Sequence, residues 1–183
     1  MSAATPDDIL LKKFYAICKA RPNDVYMTQP HSGGQTTDYT FGAVLTEAKK
    51  MAAHLRGLDL PTQSKIAMIS KNCAHFIIAD LAIWMAGHVS VALYPTLNRE
   101  TVQYILEHSD AELLFVGKLD TWDQELKFGV PDGMSMISLP LAPKGLGCPT
   151  WDEITSKNEP IEDEPVPDLS LIHISEPTRP SVI

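Results

Sequence analysis

Apolar positions along this chain change period several times, and each change predicts an element. Ile9, Leu10, Phe14, Ile17 and Cys18 recur at helical spacing over residues 9–20, and Arg21-Pro22-Asn23-Asp24 ends the run. Residues 25–28 and 36–39 are β-like, with His31-Ser32-Gly33-Gly34 as the hairpin turn between them. Thr40 suits the N-cap of a helix whose apolar face carries Phe41, Val44, Leu45, Ala48, Ala52 and Leu55. Glu47, Lys49, Lys50 and Arg56 lie on its wet side, and Gly57 stops it.

From residue 65 strands alternate with helices. Residues 65–70 read as a strand, residues 73–85 as a helix apolar nearly all round and therefore buried, and residues 89–93 as a second strand. Asn98 caps a helix with Val102, Ile105 and Leu106 on one face, and Glu100 in its first turn suits the helix dipole. Residues 113–116 form a third strand. A weaker helix over residues 122–128 leads through the turn Pro131-Asp132-Gly133 to a fourth strand over residues 134–139. This order implies βαβ units with right-handed crossovers. The expected fold class is α/β: a mostly parallel, doubly wound sheet flanked by helices, preceded by a helix and a β-hairpin. Beyond Leu139, Pro140, Pro143, Gly145, Gly147 and Pro149 mark a loop. Trp151-Asp152-Glu153-Ile154 predicts one helical turn, and residues 159–168 read as an acidic, proline-rich connector.

Composition narrows the classes of function. The chain has 183 residues, 44% apolar and 21% charged, which suits a globular core. A net charge of −8 argues against nonspecific nucleic-acid binding but leaves an anionic ligand possible at a helix start. Cys18, Cys73 and Cys148 are odd in number and unpaired in spacing, which favours reduced thiols and a cytoplasmic setting. Neither CxxC nor HExxH occurs, so no metal site is expected. The N-terminus does not read as a signal peptide. Residues 74–93 approach the length of a membrane span, but Asp80 and the Gly87-His88 break favour a buried helix followed by a strand.

Candidate chemistry is sparse. Ser32-Gly33-Gly34-Gln35-Thr36-Thr37 has the composition of a phosphate loop, yet it follows Pro30 and precedes a β-like run, which fits a turn. No GxSxG or GxGxxG occurs. His75 and His88 flank the apolar helix and suit packing or capping. Asp80 is expected to face solvent or pair with backbone, since a buried carboxylate needs a partner. The segment from Leu93 to Asn98 leaves the C-terminal end of a parallel strand, where open α/β sheets bind ligands. Tyr94, Thr96 and Asn98 are therefore the candidate substrate-contacting residues, against the alternative of a plain strand-to-helix connector with its cap. No catalytic, cofactor-binding or metal residue is assigned.

Several segments together resemble a known family. They are Asp38-Tyr39-Thr40-Phe41 with its helix, Ile66-Ala67-Met68-Ile69-Ser70-Lys71-Asn72, and Gly87-His88-Val89-Ser90-Val91-Ala92-Leu93-Tyr94-Pro95-Thr96-Leu97. The run from Val102 to Gly117 is a fourth. Over residues 9–168 the chain resembles the start of an AMP-forming acyl-CoA synthetase, an adenylate-forming enzyme most like the long-chain fatty acid–CoA ligases. The resemblance implies ATP, Mg²⁺ and CoA as cofactors of an intact parent and a fatty acid or other carboxylate as substrate. The products would be acyl-CoA, AMP and diphosphate. It also implies a cytoplasmic enzyme, with peripheral membrane association open for the parent.

The chain departs from the family at its far end. A Ser/Thr/Gly-rich phosphate loop with a Lys normally follows a segment like Pro167-Asp168-Leu169-Ser170, whereas Leu171-Ile172-His173 stands here. Residues 169–180 resemble the translation of a transposon-end adapter used in sequencing libraries. The expected organisation is a truncated N-terminal subdomain of the AMP-binding domain (1–158), the connector (159–168) and a non-native read-through tail (169–183). The alternative for the tail is a genuine proline-containing terminus. Such a fragment is expected to be inactive, since the phosphate loop and all later motifs are missing, and to self-associate through an uncovered sheet edge. The competing reading is a self-contained small α/β binding module without catalytic activity.

Overall fold

The computed structural model describes residues 9–166. Helix α1 (Leu10–Ala20) leads into an antiparallel hairpin of β1 (Val25–Pro30) and β2 (Thr36–Thr40), then helix α2 (Phe41–Arg56). Then come β3 (Lys65–Ile69), α3 (Ala74–Met85), β4 (Val89–Leu93), α4 (Arg99–His108), β5 (Ala111–Val116), β6 (Ser135–Ser138) and α5 (Trp151–Lys157). Strands β3 to β6 form one parallel sheet in the order β4-β3-β5-β6. The chain moves outward from β3 to β4 under α3, then crosses back over β3 to β5 through α4. Right-handed crossovers put those two helices on opposite faces, which is the doubly wound arrangement.

The strands are apolar almost continuously because both faces are dry. Ile66, Met68, Leu113 and Phe115 pack into a core with α1, α2, α3 and α5. Their strand neighbours Ala67, Ile69, Leu114 and Val116 point the other way, onto Val102, Leu106, Trp122 and Leu126. Fully burying each large apolar side chain stabilises by about 1.5–3 kcal/mol. Helix α3 lacks a side-chain cap at Cys73. Its first N–H, at Ala74, instead donates to Oε1 of the buried Gln29 at 2.9 Å, so the hairpin caps the helix.

Most expected elements appear within a residue or two, and the Thr40 and Asn98 caps form as read, with Ala43 and Thr101 N–H donating to them. Three details differ. The expected helix over residues 122–128 is a set of turns ending in a 3₁₀ turn at Leu126–Gly129. Gly129 presses so closely on α4 that a Cβ there would lie 2.3 Å from the Arg99 carbonyl oxygen, and Trp122 and Leu126 are the segment's apolar anchors. Second, α5 runs well past one turn, because Thr150 and Glu153 close a capping box at its start. Third, Asp80 is partly exposed and pairs with a side chain rather than with backbone. It accepts a hydrogen bond from Ser90 Oγ across the α3–β4 corner, and Trp84 Nε1 donates to the same Oγ at 3.0 Å.

The acidic segment after α5 lies along the helices. Arg56 clasps Asp163 with both terminal nitrogens at 3.0 Å while also donating to the Met85 carbonyl at 2.9 Å. Tyr15 Oη donates to the Pro165 carbonyl at 3.0 Å, Lys19 pairs with Glu164 at 2.8 Å, and Ile161 packs against the α1–α2–α3 core. The assigned read-through tail and the last two connector positions lie outside the described residues.

Candidate functional site

In a doubly wound sheet, ligands bind beyond the carboxyl ends of the strands where successive connections diverge. Here that point lies between β3 and β5, since the chain leaves β3 toward one edge and β5 toward the other. The opening is filled from within. Ser70 Oγ accepts from the Lys118 N–H at 3.0 Å and donates to the Lys71 carbonyl at 2.6 Å. Lys71 N–H donates to the Lys118 carbonyl at 2.8 Å, and its ammonium pairs with Asp120. Gly117 makes this possible: a Cβ there would sit 2.3 Å from Ser70 Oγ. Sequence pattern did not single out Ser70, Lys71, Lys118 or Asp120 as site residues. Their signal was a polar run after each of two buried strands.

The candidate residues after β4 are placed apart in role. Tyr94 is 76% exposed and Thr96 is exposed, so both hydroxyls face solvent beside the strand end. Asn98 Oδ1 accepts from the Thr101 N–H at 2.9 Å and is committed to starting α4. The Ser32–Gly34 segment is an exposed 3₁₀ turn inside the hairpin and opens no helix.

The remaining polar groups are mostly structural. Glu47 Oε1 accepts from Trp151 Nε1 at 2.6 Å and lies 2.8 Å from His75 Nε2, joining α2, α5 and α3. Tyr39 and Trp151 each meet the His75 ring edge-on at 5.5 Å. His75 is thus packed, and so is His88, whose Nδ1 has no hydrogen-bond partner among the described residues. Burial holds the His88 imidazole below its ordinary value and raises the Asp80 carboxyl. Burial also pushes the Cys18 thiol up to about 11, which leaves it protonated and unreactive.

Two depressions among the described residues bear on a site. A cavity of 380 Å³ lies under the loop after β6, walled mainly by Leu139, Pro140, Leu141 and Leu146. A shallower groove of 520 Å³ runs between α2 and α5, and its Thr46, Thr155 and Ser156 hydroxyls donate to carbonyls of their own helices. Among the described residues no three His, Cys, Asp or Glu side chains converge to hold a metal ion. No helix among them is long and apolar enough to cross a membrane.

Comparison with known proteins gives this scaffold a family. Residues 14–176 match the family described as AMP-binding enzyme, so the match runs past the last described residue. A linear gramicidin synthase from Brevibacillus parabrevis is 28% identical over 111 residues, 54% of this chain and 2% of that protein. Long chain acyl-CoA synthetase 1 of Arabidopsis thaliana is 31% identical over 77 residues, 42% of this chain and 12% of that protein. The chain therefore spans a small part of these curated relatives. Among solved structures, acetoacetyl-CoA synthetase from Streptomyces lividans superposes with a TM-score of 0.72 at 18% identity, covering 86% of this chain and 26% of that one. The fold agrees with that likeness, and the family match extends over far more than half of the residues. This chain belongs to the AMP-binding, adenylate-forming enzyme family.

Proposed function

We propose that the chain is the N-terminal portion of an acyl-CoA synthetase that converts a fatty acid, ATP and CoA to acyl-CoA, AMP and diphosphate. The family match across residues 14–176 carries this reading. The likeness to a protein named as a long chain acyl-CoA synthetase supports the substrate class. In such a reaction the carboxylate first attacks ATP to give an acyl-adenylate, because a free carboxylate is a poor electrophile. The CoA thiol then displaces AMP.

The described residues do not themselves fit ATP or Mg²⁺. The opening between β3 and β5 is filled by Ser70 and the Lys71–Asp120 pair, and no carboxylate cluster converges. We therefore assign residues 1–158 a scaffold role and no chemical step. The 183-residue chain is inactive alone in this reading, and residues 169–183 are adapter-derived. Tyr94, Thr96 and Asn98 remain candidates for substrate contact in the intact enzyme. A cytoplasmic setting, with the parent able to meet a membrane surface, belongs to the same reading.

Genomic DNA read across the Asp168 codon tests this. The frame should continue into a Ser/Thr/Gly-rich loop with a Lys, and the protein expressed from it should form acyl-CoA from a fatty acid, ATP and CoA. A genuine stop codon after Ile183 would overturn the proposal in favour of a self-contained binding module.

A further inference from the structure

The sheet has two edges, and they are treated differently. Beside β6, Ser138 forms a bridge to Thr150, and its N–H donates to the Pro149 carbonyl at 3.0 Å, so that edge is paired at its last residue. Strand β4 has β3 as its strand neighbour and no strand beyond it among the described residues. In a parallel pair alternate residues turn both backbone groups toward the partner. Val89 N–H is bonded to the Ser64 carbonyl on the β3 side, so Ser90 and Ala92 turn theirs outward.

Edges of this kind are normally blunted by charge, proline or a bulge. Val89-Ser90-Val91-Ala92-Leu93 contains no charge and no proline, and its register with β3 is unbroken. The sequence is also nearly symmetric about Val91, with large apolar residues at both ends and the centre and small ones between. The neighbouring stripe of α3 is Ile77, Asp80 and Trp84, with Ile77 exposed and Trp84 half-buried. Asp80 is the stripe's one ionisable group, and its carboxylate already accepts from Ser90. Two copies of a chain of net charge −8 can meet here without setting exposed like charges against each other.

We propose that a second copy of this chain pairs antiparallel along the free edge of β4, on a two-fold axis through Val91. Ser90 and Ala92 of each copy exchange backbone hydrogen bonds with Ala92 and Ser90 of the other, and Val89 faces Leu93. The two parallel sheets become one continuous sheet, and each α3 stripe is covered by the other copy. Such an interface falls at the low end of specific sizes, below about 1,200 Å² in total, so the dimer should be weak and concentration-dependent. This inference specifies the self-association expected of the fragment reading.

Sedimentation velocity of the full 183-residue chain over a range of concentrations tests it. Wild type should shift from monomer toward dimer as concentration rises. Ala92→Lys places two ammonium groups beside the axis at an exposed position and should weaken dimerisation by at least about tenfold. Ala92→Pro removes an outward N–H and should act the same way if the lysine variant folds poorly. Ser135→Lys on β6 should leave the dimer unchanged. A chain monomeric at every concentration, or one that dimerises equally after both Ala92 substitutions, would overturn the proposal. Neither result bears on the acyl-CoA synthetase reading, which is read by acyl-CoA formation from the uninterrupted frame.

Discussion

Asn98, a candidate for ligand contact, also holds its own helix. Its Oδ1 satisfies the Thr101 N–H, one of the donors that a helix start leaves unpaired. Asn98→Ala is expected to cost about 1 kcal/mol, read as a lower urea midpoint with unchanged slope. Gln29 is more exposed to consequence. Its truncation to Ala leaves the Ala74 N–H buried without an acceptor, an expected loss of about 1–3 kcal/mol in the same measurement. His54 and His88 set a pH dependence. Burial lowers both imidazoles, so the unfolded chain binds protons more readily than the folded one. Their contribution is present above the ordinary imidazole value of about 6.5 and is lost as pH falls through and below it. Urea midpoints should fall between neutral and mildly acidic pH, and the double variant His54→Gln/His88→Gln should flatten that fall. An unchanged slope in the variant would assign the effect elsewhere.

At the scale of elements, α5 shows what a short helix needs in order to dock. Trp151 is fully buried against Phe115 and His75, and its indole N–H reaches Glu47 on α2. Trp151→Ala is expected to cost about 3–5 kcal/mol, a large share of a typical domain's stability. A circular-dichroism melt that barely moves would contradict that packing. The same helix marks the limit of sequence reading. The hydrophobic periods located β3, α3, β4, α4 and β5 because each buries a face long enough to set a pattern. They undercounted α5, whose start is set by Thr150 and Glu153 acting together and whose end is tied by Asn158 Nδ2 donating to the Ile154 carbonyl. They overcounted residues 122–128, where two anchors at helical spacing are satisfied by turns. The Ser70–Lys118 closure was illegible for a similar reason. It depends on strands 48 residues apart in sequence lying side by side, with Gly117 leaving the space.

For the molecule as a whole, the described residues form a two-faced sheet with one edge paired at Ser138, one bare edge, and Ser70 and Lys71 bonded to Lys118 at the usual ligand position. The acidic segment held by Arg56, Lys19 and Tyr15 lies over the helices rather than over that position. The Arg56 clasp is largely at the surface, so high salt should loosen it and raise the exchange rate of the Ile161 amide, whose partner is the Lys49 carbonyl. The family assignment comes from the span of residues matched, and the scaffold role of these residues belongs to the proposal. The most direct measurement is fatty-acid-dependent exchange of labelled diphosphate into ATP by the purified 183-residue chain, with Mg²⁺ present. No incorporation above the protein-free blank is expected. Exchange that depends on both the carboxylate and this chain would contradict it.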